Sequence, residues 1–68
     1  MVFLWCFIEM YDIAGRKIKD IFTGKLIGKK LLIWDGLDEK GNFVSSGIYF
    51  VRLRSGGFTS VNKIILVR

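Results

Sequence analysis

The residue types that carry most catalytic and metal chemistry are scarce in this chain. Its 68 residues include no histidine and a single cysteine, Cys6. A histidine-based triad or general base is therefore excluded, and a nucleophilic cysteine would lack its usual imidazole partner. No glycine-rich phosphate loop ends in Lys-Ser or Lys-Thr, and the serines lie beside glycines or in strand-like segments. We expect a protein that is not an enzyme and that needs no cofactor.

Three carboxylates, Asp35, Asp38 and Glu39, are crowded enough to raise the question of a calcium loop. They lack the alternating acidic pattern and the distal glutamate of such a loop, and Lys40 adds a positive charge among them. Asp, Asn and Gly also form tight turns, because Asp and Asn side chains bond downstream amides and Gly adopts positive φ without strain. The segment 35–42 is therefore predicted to be a turn region, with no metal site.

The formal charge of +5, from eleven basic and six acidic residues, raises the alternative of a negatively charged partner. A small basic barrel that binds nucleic acid would need exposed aromatic side chains interleaved with basic ones, and Phe50 between Ile48 and Arg52 is the best local match. The basic residues are scattered through strand-like segments, which is a common way to keep sheet edges from pairing. Nucleic-acid binding is therefore a minor alternative.

The elements that must position these residues are predicted to be strands. A domain of this length buries only about 60% of its unfolded surface, and neither a disulfide nor a histidine-based metal site can reinforce it within one chain. Hydrophobic residues make up 51% of the sequence, and most of them are types that suit a pleated, half-buried surface. Apolar runs and turn signals predict five short strands in one all-β domain, a sandwich or a small barrel, with strands at 3–12, 16–22, 29–34, 48–54 and 58–67.

Local signals add detail to this outline. The glycines of Ser55-Gly56-Gly57 predict a hairpin between the last two strands, and the segment 24–28 is expected to be a loop. Alternation assigns Tyr49, Val51 and Leu53 to the inward face. The apolar run 1–8 has no basic residues before it and is too short to span a membrane, so a buried strand is expected there, with no signal peptide in this chain.

An ordered set of short motifs resembles a known family. The motifs are Met10-Tyr11-Asp12-Ile13-Ala14-Gly15-Arg16-Lys17-Ile18, Trp34-Asp35-Gly36 with Asp38 and Gly41, Val44 with Ser46-Gly47-Ile48-Tyr49-Phe50, Arg52-Leu53, Gly56-Gly57 and Lys63-Ile64-Ile65-Leu66-Val67-Arg68. In this order and spacing, the set resembles the type IX secretion C-terminal sorting domain (type A) and the related Ig-like domain of the flagellar hook-capping protein. The resemblance covers residues 8–68.

The resemblance implies a small immunoglobulin-like antiparallel β-sandwich of about five strands. It also implies structural roles for six positions: turns at Gly15 and at Asp35-Gly36, a large core anchor at Trp34, and a close turn at Gly47 that directs Tyr49 into the core. The single module would then be the C-terminal part of a larger exported protein.

The function implied by the resemblance is a non-enzymatic sorting tail, read by export machinery in the outer membrane and located outside the cell or at its surface. The candidate recognition residues are Gly56, Gly57, Lys63 and Arg68, since the family's terminal motif lies there. The alternative is an Ig-like assembly module of the hook-capping type, whose partners are neighbouring subunits.

The sequence also departs from that family. It lacks the Asn-Pro-Phe segment and the additional strand that usually come first, and we hypothesise that it is a remnant or partial reading frame of a longer exported protein. A missing strand leaves backbone groups of the sheet unpaired, so self-association through that edge is expected.

Overall fold

The computed structural model describes residues 4–26 and 32–67. Its four strands are β1 (Leu4–Asp12), β2 (Lys17–Leu26), β3 (Gly47–Ser55) and β4 (Phe58–Leu66). All neighbours are antiparallel, in one sheet with the order β2-β1-β3-β4. The predicted all-β class is confirmed, and no helix is present in the described ranges.

The observed strands differ from the predicted ones in two places. The second strand runs on to Leu26 and passes through Gly24, where a loop was expected. The strand predicted at 29–34 falls partly on residues 29–31, which lie outside the described residues, and Leu32 to Trp34 are not in a strand. The described residues therefore contain four strands rather than five, with the segment 32–46 between β2 and β3.

A tight turn joins β1 to β2 as predicted. The Asp12 carboxylate accepts hydrogen bonds from the backbone N–H groups of Ala14, at 3.0 Å, and Arg16, at 2.9 Å. Gly15 has φ of 87°, a left-handed conformation that a side chain would strain. The Asp side chain and the glycine together reverse the chain within four residues.

The predicted hairpin between β3 and β4 is also confirmed, because Ser55 pairs with Phe58 across the two glycines. Gly56 has φ of 59°, and Gly57 does not have a positive φ. A positive φ at the first central residue alone is the pattern of a type II′ turn, whose twist suits a two-residue hairpin loop. The pairing continues without a register shift to Gly47 and Leu66.

The sheet has two different faces. One, here called the covered face, carries Cys6 and Met10 of β1, each 1% exposed, and Tyr49 of β3, 6% exposed. Val51 pairs with Met10, and Leu53 with Ile8, so the residues predicted to point inward share this face. The other face is here called the ionic face. It carries the residues of β1 and β3 that alternate with those of the covered face: Phe7, Glu9, Tyr11, Phe50, Arg52 and Arg54.

The segment 32–46 packs against the covered face. The indole of Trp34 meets the Tyr49 ring edge-on, with ring centroids 5.3 Å apart. A bridge between Leu37 and Phe43 closes a small hairpin-like loop within the segment. The backbone N–H of Glu39 donates to the carbonyl of Ile18 in β2 at 3.0 Å. A loop, and not a second sheet, thus forms the layer over the covered face in the described part of the chain.

Candidate recognition surfaces

The Trp34–Tyr49 corner brings together two of the six residues assigned structural roles. The Tyr49 hydroxyl donates a hydrogen bond to the backbone carbonyl of Ser45, just before β3. The Trp34 indole N–H donates to the carbonyl of Leu37 at 3.0 Å. Both aromatic residues therefore use their polar atom to hold the loop and their ring to fill the core. Gly47 begins β3 between Ser45 and Tyr49.

Asp35 and Gly36 lie in the turn that follows Trp34. An Asp35 carboxylate oxygen accepts from the backbone N–H of Leu37 at 3.0 Å, and Gly36 has φ of 79°. The carbonyl of Gly36 accepts from the N–H of Val44 at 3.0 Å. Of the residues assigned structural roles, Asp35 and Gly36 lie in this turn, Gly15 lies in a separate turn at the same end of the sheet, and Tyr49 is buried against Trp34. Gly47 is the first residue of β3 and pairs with Leu66, although a close turn is predicted there.

The other carboxylates of the 35–42 segment bind backbone amides. One Asp38 oxygen accepts from the N–H groups of Lys40, at 2.9 Å, and Asn42, at 3.0 Å. The Glu39 carboxylate accepts from the N–H of Asp20 in β2. In the described ranges, no three His, Cys, Asp or Glu side chains form a group that could hold a metal ion.

The candidate recognition residues Gly56 and Gly57 form the exposed tip of the β3–β4 hairpin. Lys63 lies in the middle of β4, opposite Phe50, and is exposed. The hairpin tip precedes β4 and Lys63 lies at the middle of that strand, so they do not converge on one pocket. Arg68 lies outside the described residues.

A buried glutamate organises the ionic face. Glu9 lies on a central strand and is only 5% exposed. One of its carboxylate oxygens accepts from the guanidinium of Arg52, at 3.1 and 3.3 Å, and from Arg54 Nε at 3.0 Å. The other oxygen accepts from Arg54 Nη2 at 3.2 Å and lies 3.8 Å from the ammonium group of Lys17. Three cations from two neighbouring strands thus surround one carboxylate.

The electrostatics of this cluster follow from its geometry. Burial raises the pKa of Glu9, but the hydrogen bonds and positive charges of Arg54 and Arg52 outweigh burial and hold that pKa below 4.5. The same carboxylate raises the pKa of Arg54 through their hydrogen bond. For Lys17, the hydrogen bond from its ammonium group to Asp20, at 3.0 Å, is the main cause of a raised pKa. Glu9, Lys17 and Arg54 are therefore all charged at neutral pH.

The two arginines also cover aromatic rings of the ionic face. The guanidinium carbon of Arg52 lies 4.8 Å from the centre of the Tyr11 ring, and that of Arg54 lies 5.0 Å from the centre of the Phe7 ring. Arg52 donates a further hydrogen bond to the Tyr11 hydroxyl. These cation–π contacts occupy the ring faces on which a nucleic-acid base would stack. The two arginines therefore cover the Tyr11 and Phe7 rings, whereas Trp5 on the same face is 51% exposed.

Sequence reasoning missed this cluster. In the sequence, Glu9 is a polar residue near the end of the apolar run 3–12, far from Arg52 and Arg54. The carboxylate meets its partners because β1 pairs with β3, which places Glu9 opposite Arg52 although 43 residues separate them. A lone glutamate inside an apolar strand was the available signal, since a buried carboxylate needs a cationic partner.

The two edges of the sheet are unlike each other. β2 carries four charged residues, Lys17, Lys19, Asp20 and Lys25, and its pairing with β1 shifts register twice. β4 is regular over nine residues and has one charged residue, Lys63. Two of its apolar side chains are exposed to solvent, Val61 (56%) and Ile65 (65%). Bulges and charges protect an edge, so within the described residues β2 is a protected edge and β4 is an open one.

No family model, curated protein or solved structure matches the chain. Within the described ranges there is also no helix long and apolar enough to cross a membrane.

Proposed function

We propose that this domain is a non-enzymatic sorting tail, recognised as a folded β module by protein export machinery. The observation that carries the proposal is the arrangement of the β3–β4 hairpin. Its glycine turn projects from the end of the sheet, and its second strand forms the open edge with Lys63 exposed at the middle. An open strand edge is a surface to which a partner protein can add main-chain hydrogen bonds.

The order of the strands supports this role. β4 contacts the rest of the sheet through β3 alone in the described part of the chain, whereas β1 and β3 build the buried centre. A receptor could therefore contact β4 and the hairpin tip without disturbing Met10 or Tyr49. The recognition surface and the residues that stabilise the fold are separate parts of one small domain.

The experiment is a secretion assay in a host that has type IX machinery. Residues 1–68 are fused behind a periplasmic signal and a fluorescent cargo, and Lys63→Glu is compared with Lys40→Glu. Both variants change the net charge equally, but Lys40 lies in the exposed turn of the 32–46 segment. The proposal predicts that the unmodified fusion exports its cargo, that Lys63→Glu retains it, and that Lys40→Glu does not. Retention of the cargo by the folded, unmodified fusion would contradict the proposal.

The second candidate is an assembly module of the hook-capping type, which the same open edge supports. Such a module contacts neighbouring subunits and would give no export in the assay above. Capture of a structural subunit by the folded domain, lost in Lys63→Glu and kept in Lys40→Glu, would favour this candidate. A third, minor candidate is nucleic-acid binding, which should weaken steeply with salt because phosphate contacts release counterions.

A further inference from the structure

The geometry points to a homodimer in which β4 pairs with β4 of a second copy, antiparallel and centred on Asn62. The two sheets would then form one continuous sheet of eight strands. This inference goes beyond the proposed function, and its readout, the mass of the particle in solution, is independent of export.

The backbone groups that would make this contact follow from the hairpin register. Ser55 and Phe58 flank a two-residue loop, and such a closing pair exchanges both of its hydrogen bonds. The alternate residues from Phe58 to Leu66 therefore bond to β3. The N–H and C=O groups of Thr59, Val61, Lys63 and Ile65 point to the other side, where the described residues provide no strand.

The centre of the contact follows from the length of β4. The strand runs from Phe58 to Leu66, so full antiparallel overlap of two copies places Asn62 opposite Asn62 of the second copy. Thr59 then lies opposite Ile65, and Val61 lies opposite Lys63. All four residues whose backbone groups point away from β3 are therefore paired. Each of these pairs can exchange two main-chain hydrogen bonds, as hydrogen-bonded pairs of an antiparallel ladder do.

The charge pattern of β4 favours this register. Lys63 is the one charged residue of the strand, and centring the contact on Asn62 places its side chain beside Val61 of the second copy. Shifting the centre by one residue to Lys63 would set two ammonium groups directly opposite each other, which is destabilising. The amide side chains of the two Asn62 residues can hydrogen-bond each other at the two-fold axis.

The other edge does not offer an equivalent partner. A contact between β4 and β2 of a second copy would meet the extra residues Ile18 and Ile21 of the two bulges. It would also place Lys63 near a strand that carries three lysines. Pairing between β4 strands of two copies has closed two-fold symmetry, so it gives a dimer and no larger assembly.

The first test uses charge at Val61, which is exposed and is not part of the core. Light scattering over a concentration series gives the dissociation constant of the dimer. In the proposed register, Val61→Asp gains two ion pairs with Lys63 and should tighten the dimer about tenfold, and Val61→Lys should weaken it about tenfold or more. Thr23→Asp and Thr23→Lys, on the β2 edge, are matched controls and should change nothing.

A wild-type chain that stays monomeric up to millimolar concentration would overturn the inference. So would equal effects of Val61→Asp and Val61→Lys, or effects of the Thr23 variants as large as those at Val61. Circular dichroism of each variant shows that it is folded before its mass is interpreted.

The second test uses disulfide trapping, because Cys6 is buried and should not cross-link. Asn62→Cys places two cysteines directly opposite each other across the two-fold axis, in a non-hydrogen-bonded pair. The Cα separation of such a pair lies within the range that a disulfide needs. Ser60→Cys, on the same face of the same strand, places them roughly 14 Å apart along the strand direction. Mild oxidation should convert most Asn62→Cys to covalent dimer and leave Ser60→Cys monomeric. Equal trapping of both, or of neither, would overturn the proposed register.

Discussion

The covered face and the ionic face shield the two central strands, β1 and β3, from water by different means. On the covered face, the segment 32–46 brings Trp34 onto Tyr49, and Met10 is fully buried. On the ionic face, the described residues provide no second layer, and the side chains of Arg52 and Arg54 lie over Tyr11 and Phe7.

The difference shows how one sheet can be stable with a single layer of chain against it. Arginine can cover an aromatic ring with its planar guanidinium and at the same time bind a carboxylate with the N–H groups at its edge. Glu9 fixes both guanidinium groups in that position. The ionic face thus depends on one central carboxylate, whereas the covered face depends on apolar packing.

The largest effect is expected on the covered face. Met10→Ala removes a side chain that is 1% exposed and leaves a cavity at the centre of the sheet. We expect the free energy of unfolding to fall by about 3 kcal/mol, measured by urea denaturation. Met10→Leu, which keeps the volume, should lower it by less than about 1.5 kcal/mol. A loss for Met10→Ala as small as that expected for Met10→Leu would show that the packing around Met10 is loose.

A smaller loss is expected when the centre of the ionic face is neutralised. Glu9→Gln keeps the shape of the side chain but leaves two guanidinium groups without their anion. Removing one partner of a buried ion pair lowers stability by roughly 3–5 kcal/mol, and both arginines are partly exposed, so we expect a loss of about 2 kcal/mol. Glu39→Gln, in an exposed turn, is the matched control. A loss no greater than the control's would mean that the cluster adds nothing to stability.

The smallest effects compare one hydroxyl on each face. Tyr49→Phe removes a donor to the backbone carbonyl of Ser45, and we expect a loss of about 1 kcal/mol in the free energy of unfolding. Tyr11→Phe removes an acceptor from Arg52, which keeps its bonds to Glu9, so about 0.5 kcal/mol is expected. The same denaturation experiment measures both. A larger loss for Tyr11→Phe would show that the hydroxyl on the ionic face contributes more to stability than the one on the covered face.

Much of the fold could be predicted because its signals are local. The glycine hairpin, the Asp12–Gly15 turn and the inward side of β3 all depend on residues close together in sequence. The extension of β2 beyond Gly24 could not be predicted, because pairing with Cys6 of β1 overrides the weak strand preference of glycine. The order of the strands also escaped prediction, since it requires β1 to pair with a strand more than 40 residues away.

Lys63 was predicted from a motif, but the reason for its exposure lies in the order of the strands. Lys63 is exposed at an open edge because β4 follows β3 outward from the centre. The Glu9 cluster could not be predicted, because it also depends on pairing between residues that are distant in sequence. It exists only where β1 and β3 are in register.

The most direct test of this account is the pH dependence of stability in the wild type and in Glu9→Gln. The two arginines hold the pKa of Glu9 below 4.5 in the folded state, so the folded state binds fewer protons than the unfolded state as the pH falls. The stabilisation from Glu9 should therefore be complete above about pH 5 and disappear as the pH falls through the folded-state pKa.

The measurement is the free energy of unfolding, by urea denaturation, from about pH 7 to about pH 3. Other carboxylates contribute equally to both proteins, including Asp12, whose pKa is lowered chiefly by the backbone N–H of Arg16. The difference between the two proteins thus isolates Glu9. We predict a gap that is largest at neutral pH and narrows as the pH falls toward the lowered folded-state pKa of Glu9. A gap that stays constant with pH would contradict the claim that the Glu9 carboxylate holds the ionic face together.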